Sequence, residues 1–190
     1  RTGHPLSVAR GKELPDGAHI LHQAWKNRLN TPQSSAVGRL FDAASALTGI
    51  LQQASFEGQG PMLLEQACGE LRPTLALPQL EDETGLLQAD WSGLLPTLMD
   101  NSRSIAERAS YFHSCFAHTL LQQAITMRER HGVNNIGLCG GVFQNRKLSD
   151  YAVVLLEENG FKACLPLRLP ANDAAICAGQ VVEAATTQSK

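Results

Sequence analysis

Apolar residues recur at helical spacing over several stretches of the 190-residue chain. A helix is predicted for residues 18–30. A second should follow the candidate N-cap residues Ser34 and Ser35 and end near Ala54, ahead of a glycine-rich stretch. Pro61 occupies a predicted first helical position and opens a third helix.

The clearest helix start is "SIAE", in which Ser104 and Glu107 have the spacing of a capping box. The helix should run to about Arg130, with Gly132 as its stop. One continuous apolar stripe supports this: Ile105, Ala109, Phe112, Phe116, Leu120, Ala124 and Met127. Upstream, two apolar runs around "EDETG" predict a β-hairpin within residues 73–91, and a short helix follows in residues 92–101.

The last sixty residues alternate strands and helices. Strands are predicted at 135–139 and 161–167, and helices at 146–158, with Gly160 as its stop, and from about 174 to 185. This order implies parallel strands with helices packed across them, so the predicted fold class is α/β.

Composition limits the classes of function. A formal net charge of −2 gives no general attraction to nucleic acid or to an anionic membrane. No stretch approaches the roughly 20 apolar residues of a membrane span. The polar N-terminus lacks an initiating Met and a signal peptide, so the chain is expected to be a piece of a longer polypeptide.

The five cysteines are scattered and form no CxxC pair. This pattern argues against a structural zinc site and a disulfide framework, and it favours a reducing compartment. Most of the cysteines are predicted to be buried free thiols.

Gly140 and Gly141 end the first strand of the β–α–β segment. Ligands of α/β sheets bind beyond the carboxyl ends of the strands, and a glycine pair lets them approach the backbone. The start of the following helix would add free amides for an anion. Asn145 could cap that helix or bind a ribose or base, and a plain tight turn with a capping Asn is the alternative.

Two aspartates are further candidates. Asp173 follows the next strand, where it could cap a helix or offer a carboxylate to a divalent metal. Asp42 lies within an otherwise apolar helix, where an unpaired buried carboxylate would be costly. It is therefore either on the solvent face or positioned for a ligand hydroxyl.

Histidine and cysteine positions give weaker signals. His19 and His22 are three residues apart, a spacing that can share a metal, but without a third ligand nearby two surface histidines are the better interpretation. His113 is expected to pack beside the apolar stripe. Cys139 has no base identifiable from the sequence and is interpreted as a small residue at a strand end.

Five stretches occur together in order: "SSAVGRLFDAASALTGI", "SFEGQGPMLLEQA", "YFH", "GLCGGVFQNRKL" and "LPANDAAICAGQ". They resemble the C-terminal part of HypF, the carbamoyltransferase family of [NiFe] hydrogenase maturation, over roughly residues 31–182, whereas residues 1–30 match less clearly. The resemblance implies an actin/Hsp70/sugar-kinase-like (ribonuclease H-like) lobe, helix-rich with a small mixed sheet. Residues 1–190 would be the C-terminal lobe of the carbamoyltransferase domain, with residues 31–185 as its core.

The resemblance also implies a reaction. In the family, carbamoyl phosphate and ATP yield carbamoyladenylate, and the carbamoyl group passes to the C-terminal Cys thiol of HypE, for the cyanide ligands of the hydrogenase iron. ATP or carbamoyladenylate, a divalent metal (Zn or Fe) and HypE are therefore the expected ligands and partner. No nucleic acid or membrane is expected, and the location would be cytoplasmic.

Site residues are implied one by one through the related enzymes of tRNA threonylcarbamoylation. Those enzymes contact the adenylate with the Asp of a "FD" helix, a glycine pair and a following Asn, here Asp42, Gly140, Gly141 and Asn145. Gly58 lies near another of their ligand-contacting glycines. Their metal is held by two histidines and an Asp. Asp173 matches that Asp, and the two histidines would lie upstream of Arg1.

Two positions depart from the HypF pattern: "NDAA" at 172–175 replaces the usual "NDGG", and Cys139 stands where the family tends to have Ser. With half of the metal site elsewhere, the 190 residues alone are predicted to be inactive. Two alternatives stay open: a tRNA threonylcarbamoyl transferase, and a non-catalytic lobe that binds a nucleotide or docks a partner.

Overall fold

The structure, a computed structural model, describes residues 17–187, which fall into two compact units divided between Ala36 and Val37. In the described part of the first unit, α1 covers Ala18–Lys26. It ends earlier than predicted because Arg28 and Asn30 adopt left-handed backbone conformations, with φ of 56° and 49°, which helices do not continue through.

The second unit contains the remaining helices and both strand pairs. Its helices are α2 (Gly38–Thr48), α3 (Gln59–Ala67), α4 (Leu95–Leu98), α5 (Ile105–His131), α6 (Arg146–Glu158) and α7 (Ile176–Thr187). Strands β1 (Gln79–Glu81) and β2 (Leu87–Ala89) form the predicted antiparallel hairpin. Strands β3 (Asn135–Gly137) and β4 (Lys162–Cys164) pair in parallel, as the β–α–β order predicts. The α/β class is therefore confirmed.

Helix α5 begins and ends where its local signals indicated. The backbone amide of Ser104 donates to the Glu107 carboxylate at 2.7 Å, and the Glu107 amide donates to the Ser104 hydroxyl at 3.2 Å. These reciprocal bonds confirm the capping box. At the other end Gly132 adopts φ 68°, and its amide donates to the Arg128 carbonyl, which closes the helix.

Other boundaries differ from the prediction. The two predicted serine caps of α2 are wrong, because Val37 precedes the helix and no side chain caps it. The helix ends at Thr48 rather than near Ala54, since Gly49 adopts φ 82° and turns the chain. Helix α3 begins two residues before Pro61, because Gly58, with φ 82°, already starts the turn.

The core is built around α5, against which α2, α3, α4 and α6 pack. The Phe112 ring lies edge-on to Phe41 with 4.8 Å between centroids, a preferred aromatic geometry, and 4.8 Å from Phe116. Cys68 and Cys115 are buried, which raises the pKa of both thiols. The prediction of mostly buried thiols is nevertheless wrong, since three are exposed: Cys139, Cys164 and Cys177.

Residues 69–77, between α3 and the hairpin, form an irregular segment that side-chain hydroxyls hold along α5. We call these contacts the hydroxyl ladder. Three backbone amides donate to α5 hydroxyl oxygens: Gly69 to Ser110 at 2.9 Å, Arg72 to Ser114 at 3.3 Å and Leu77 to Thr119 at 2.9 Å. The Thr119 hydroxyl in turn donates to the Cys115 carbonyl at 2.7 Å. The segment thus obtains from a helix the amide acceptors that a neighbouring strand would otherwise supply.

Among residues 17–187, no helix combines the length and the apolar character needed to cross a membrane.

We expect Thr119→Val to lower the free energy of unfolding by about 1–3 kcal/mol, because it leaves the buried Leu77 amide without an acceptor. Thr126→Val is the matched control, since Thr126 makes the same bond to the carbonyl four residues earlier but accepts no hydrogen bond from the part of the chain that the structure describes. Urea denaturation of both variants is the measurement. Equal losses for the two would show that the ladder contributes nothing.

Candidate functional site

The glycine pair lies directly against the loop that carries Asp173. Gly140 adopts φ 110° and ψ 158°, a conformation that L side chains rarely enter. Its amide donates to the Ala171 carbonyl at 2.6 Å. A Cβ on Gly141 would lie 4.0 Å from the Asn172 Cβ. The turns that follow β3 and β4 therefore meet at one edge of the parallel pair.

Two backbone donors at this edge are free. Gly141 and Val142 open a 3-10 turn, Gly141–Gln144, and the first amides of a helical turn have no acceptor within it. Among the described residues neither amide finds an acceptor elsewhere. The edge can therefore donate two hydrogen bonds to a ligand oxygen.

The start of α6, by contrast, is already satisfied, so the prediction that this helix offers free amides is wrong. The Glu65 carboxylate on α3 accepts from its first two amides, Arg146 at 2.7 Å and Lys147 at 3.2 Å. The next two donate to Asn145: Leu148 to the side-chain oxygen at 2.9 Å and Ser149 to the carbonyl at 3.0 Å. A carboxylate at a helix start also complements the helix dipole.

Asn145 is the N-cap of α6, and both its side-chain oxygen and its side-chain nitrogen make hydrogen bonds within the protein. Its amide nitrogen lies 2.9 Å from Nε2 of His113, a residue of α5 that is fully buried. The second proton of that amide has no partner among the described residues. Asn145 can thus give a ligand a single hydrogen bond while it caps the helix.

Asp173 opens a 3-10 turn, Asp173–Ala175, rather than capping it. The N-cap residue is Asn172, whose side chain accepts a hydrogen bond from the Ala174 amide at 3.2 Å. The helix-cap alternative for Asp173 is therefore wrong. Its carboxylate is exposed and makes no hydrogen bond or ion pair with any described residue. It is free to meet a cation or a polar ligand.

Residues 17–187 contain no cluster of three or more His, Cys, Asp or Glu side chains that could hold a metal ion. His19 is exposed and His22 packs beside Trp25, with 5.8 Å between ring centroids. A metal bound through Asp173 would therefore need ligands from outside the described residues.

Asp42 of α2 lies beside the start of α3, the helix that Gly58 precedes as its N-cap residue. The Asp42 side chain is exposed and unpaired in the described structure, which agrees with the solvent-face alternative. Its Oδ1 lies 3.3 Å from the point where a Cβ on Gly60 would be. The Ser45 hydroxyl lies equally close to that point and is buried without a partner.

Helix α3 separates these residues from the diglycine edge. Asp42 contacts it near Gly60, whereas Glu65 contacts the start of α6, and five residues of helix span about 7.5 Å. No direct contact joins Asp42 to Asn145 or Asp173 among the described residues. That all the candidates line one cleft therefore stays a prediction.

An open depression of about 410 Å³ runs along α3. It is lined by Phe56, Gln59, Met62, Leu63, Glu65 and Gln66. None of the residues predicted for the site is among them.

Two residues that shape this region escaped the sequence analysis. Glu65 binds amides 81 and 82 residues away, and His113 binds a side chain 32 residues away. Neither lies in a local motif that marks such a contact. The apolar stripe predicts where His113 packs, but no local pattern indicates its polar partner.

Comparison with known proteins matches residues 7–180 to the family model "Carbamoyltransferase, Kae1-like Domain, second subdomain". The carbamoyltransferase HypF of Synechocystis sp. is 32% identical over 85% of this chain and 21% of its own length. A HypF homolog of Cupriavidus necator is 31% identical over 84% of this chain and 43% of its own. A tRNA N6-adenosine threonylcarbamoyltransferase of Kosmotoga olearia is 27% identical over 80% of this chain and 48% of its own.

Solved structures agree. Full-length HypF in the phosphate- and nucleotide-bound form aligns with a TM-score of 0.83 and 26% identity, over 93% of this chain and 24% of that one. HypF of T. kodakarensis aligns with a TM-score of 0.69 and 21% identity, over 88% of this chain and 22% of that one. The chain thus spans between about a fifth and a half of the length of these relatives.

We expect Glu65→Ala to lower the free energy of unfolding by about 1–2 kcal/mol, because two α6 amides lose a charged acceptor. Glu70→Ala is the control, since Glu70 makes only an exposed ion pair with Arg72 and should change stability by less than about 0.5 kcal/mol. Thermal and urea unfolding measure both. If Glu65→Ala behaves like Glu70→Ala, the link between α3 and α6 is not a stabilising one.

Proposed function

The chain belongs to the HypF carbamoyltransferase family, as a Kae1-like second subdomain with an actin- and ribonuclease H-like fold, and from that premise we propose that it forms one side of a carbamoyl-transfer site. The substrate would be carbamoyladenylate, made from carbamoyl phosphate and ATP elsewhere in the longer protein. The acceptor would be the C-terminal Cys thiol of HypE, for cyanide ligand synthesis in [NiFe] hydrogenase maturation.

One observation carries the proposal: free polar groups are concentrated at the edge where the β3 and β4 turns meet. The Gly141 and Val142 amides and the Asp173 carboxylate all lack partners in the described structure. Gly140 brings the two turns together through its bond to Ala171. Unused donors and an unused carboxylate at the carboxyl edge of a parallel sheet are what a ligand site requires.

The nucleotide would lie across this edge. The Gly141 and Val142 amides and the second Asn145 amide proton would donate to its polar atoms. Asp42, beside the start of α3, would accept a hydrogen bond from a ribose hydroxyl. A HypF relative, 26% identical, has been solved in a phosphate- and nucleotide-bound form, which supports nucleotide as the ligand class.

Asp173 is the residue of this chain that would hold a divalent metal. Its exposed and unpaired carboxylate suits Zn²⁺ or Fe²⁺ as a single contributor, and the histidine ligands would come from outside this chain. Such a metal, when bound, supplies positive charge that polarises carbamoyl or phosphate oxygens.

In the proposed reaction the thiolate sulfur of the acceptor attacks the carbamoyl carbon. A carbon–sulfur bond forms, the carbon–oxygen bond to phosphate breaks, and AMP leaves with that electron pair. This chain contributes binding and orientation: hydrogen bonds that fix the adenosine, and a carboxylate beside the reacting end. It contributes no nucleophile, because the attacking thiolate belongs to the acceptor protein.

A tRNA threonylcarbamoyl transferase is the second candidate, supported by the 27% identical relative of that name. The stretches "SFEGQ" and "GGVFQN" resemble HypF more closely, and a net charge of −2 gives no support for tRNA binding. We therefore favour the HypF reaction.

Calorimetry with ADP or AMP tests the nucleotide site. We expect Asp42→Ala to weaken binding about tenfold or more, because hydrogen bonds to a charged group contribute about 1.5–3 kcal/mol. Glu129→Ala, which removes an equally exposed carboxylate from the end of α5, should bind like the wild type. If neither the wild type nor Asp42→Ala binds nucleotide, the chain is a partner-docking lobe rather than part of a nucleotide site.

We also expect the 190 residues alone to transfer no carbamoyl group, since the remaining metal ligands lie outside them. The assay supplies carbamoyl phosphate, ATP and HypE, and mass spectrometry detects carbamoylation of the HypE C-terminal Cys. A full-length HypF relative serves as the positive control. Transfer by this chain alone would contradict the half-site proposal.

A further inference from the structure

We propose that His113 is a positioning residue whose neutral imidazole holds the Asn145 side chain and, through it, the diglycine turn. His113 lies in the first half of α5, and among the described residues its ring makes hydrogen bonds to Ala109 and Asn145 and none to the turn or the free amides. The consequence for ligand affinity rests on the nucleotide site proposed above, whereas the consequence for the turn does not.

The hydrogen bonds of His113 fix its tautomer. Its Nδ1 lies 2.8 Å from the Ala109 carbonyl, which only accepts, so Nδ1 carries the proton. Nε2 is then the acceptor and takes a proton from the Asn145 amide nitrogen at 2.9 Å. The Asn145 orientation is fixed independently, because its oxygen accepts from the Leu148 amide. The two side chains therefore meet as a matched pair, with a donor on Asn145 facing an acceptor on His113.

A single added proton breaks this arrangement. On the imidazolium both ring nitrogens are donors, so Nε2–H would face the Asn145 NH₂ group, donor against donor. Turning the Asn145 amide over would give Nε2–H an acceptor, but Leu148 would then lose its cap. Asn145 directly follows the Gly141–Gln144 turn, so its displacement moves the turn that carries the free amides.

The surroundings of His113 favour the neutral form. Burial lowers the pKa of the imidazole, whereas the Ala109 carbonyl and Glu65 on α3 raise it and Lys147 on α6 lowers it. From α2 the Phe41 ring meets it edge-on, with 5.4 Å between centroids. The group is therefore neutral near pH 7 and protonates only below its ordinary value of about 6.5.

His118 is a matched control on the same helix. Its Nδ1 lies 2.9 Å from the Ser114 carbonyl, so it makes the same bond to the residue four positions earlier. Its ring is half-buried and packs against Tyr151, with 5.7 Å between centroids, but its Nε2 has no side-chain partner in the described structure. Replacing His118 therefore tests helix packing without the Asn145 contact.

The experiment uses the full chain and three variants: His113→Phe, which keeps the ring but not the acceptor, His113→Gln, whose amide oxygen can replace Nε2, and His118→Phe. Hydrogen exchange of residues 141–149 and ADP affinity are both measured from pH 5 to 8. We expect His113→Phe to increase exchange and weaken ADP binding about tenfold, and His113→Gln to restore both.

The pH profile separates positioning from packing. Because the folded pKa of His113 lies below its unfolded value, wild-type protection of residues 141–149 should be complete above about pH 6.5 and decline as the pH falls through the folded pKa. His118→Phe should follow the wild type, and His113→Gln should lack the decline.

Unchanged exchange and unchanged ADP affinity in His113→Phe would overturn the inference, even if that variant melts earlier. A decline that His113→Gln retains would overturn it as well. If the wild type binds no ADP, the nucleotide site fails, and the exchange data alone decide whether His113 positions the turn.

Discussion

The four amides at the start of α6 determine how this lobe is assembled. A helix start cannot be buried unless those donors find acceptors. Here the first two amides find theirs on a residue 81 and 82 positions away, and the next two find theirs on the N-cap residue. The Glu65 carboxylate brings α3 to the first two amides, and Asn145 satisfies the next two while it holds His113 of α5. Three helices are thereby fixed around one point, immediately beside the diglycine turn.

That assembly separates structural polar groups from available ones. The polar groups of Glu65, Asn145 and His113 that hold the turn are paired. The Gly141 and Val142 amides and the Asp173 carboxylate have no partner in the described structure. A preorganised half-site requires paired polar groups that hold the turn in place and unpaired polar groups that can meet the ligand. The protein then does not have to give up an internal hydrogen bond before it binds. The proposal of a half-site agrees with the finding that the chain spans only part of its relatives' length.

Local signals in the sequence were sufficient for much of the fold. The Ser104–Glu107 capping box marks the start of α5 and Gly132 marks its end. The predicted limits of α6, residues 146–158, also match the structure. The strand order also predicted that the glycine pair and the Asp173 loop share one edge. The cap was predicted at Asp173 rather than at Asn172, one residue too late, because the adjacent Asn has equal capping ability.

Contacts between distant residues were beyond sequence reasoning. Which glutamate of a polar helix face reaches another helix depends on packing, so the role of Glu65 could not be read from its neighbours. The same holds for His113, whose partner is set by how α5 and α6 cross. Whether Asp42 faces the ligand of the diglycine edge depends on the arrangement of α2 and α3, which no local pattern encodes.

The hydroxyl ladder has a consequence for how this lobe tolerates changes of length. Its last rung, the Leu77 amide on Thr119, comes before the hairpin of β1 and β2. The connecting chain is therefore registered on α5 independently of the hairpin's size. Insertions or deletions at the tip around Gly85 would be absorbed outside the core, which makes this loop the natural position for a fused reporter or an affinity tag.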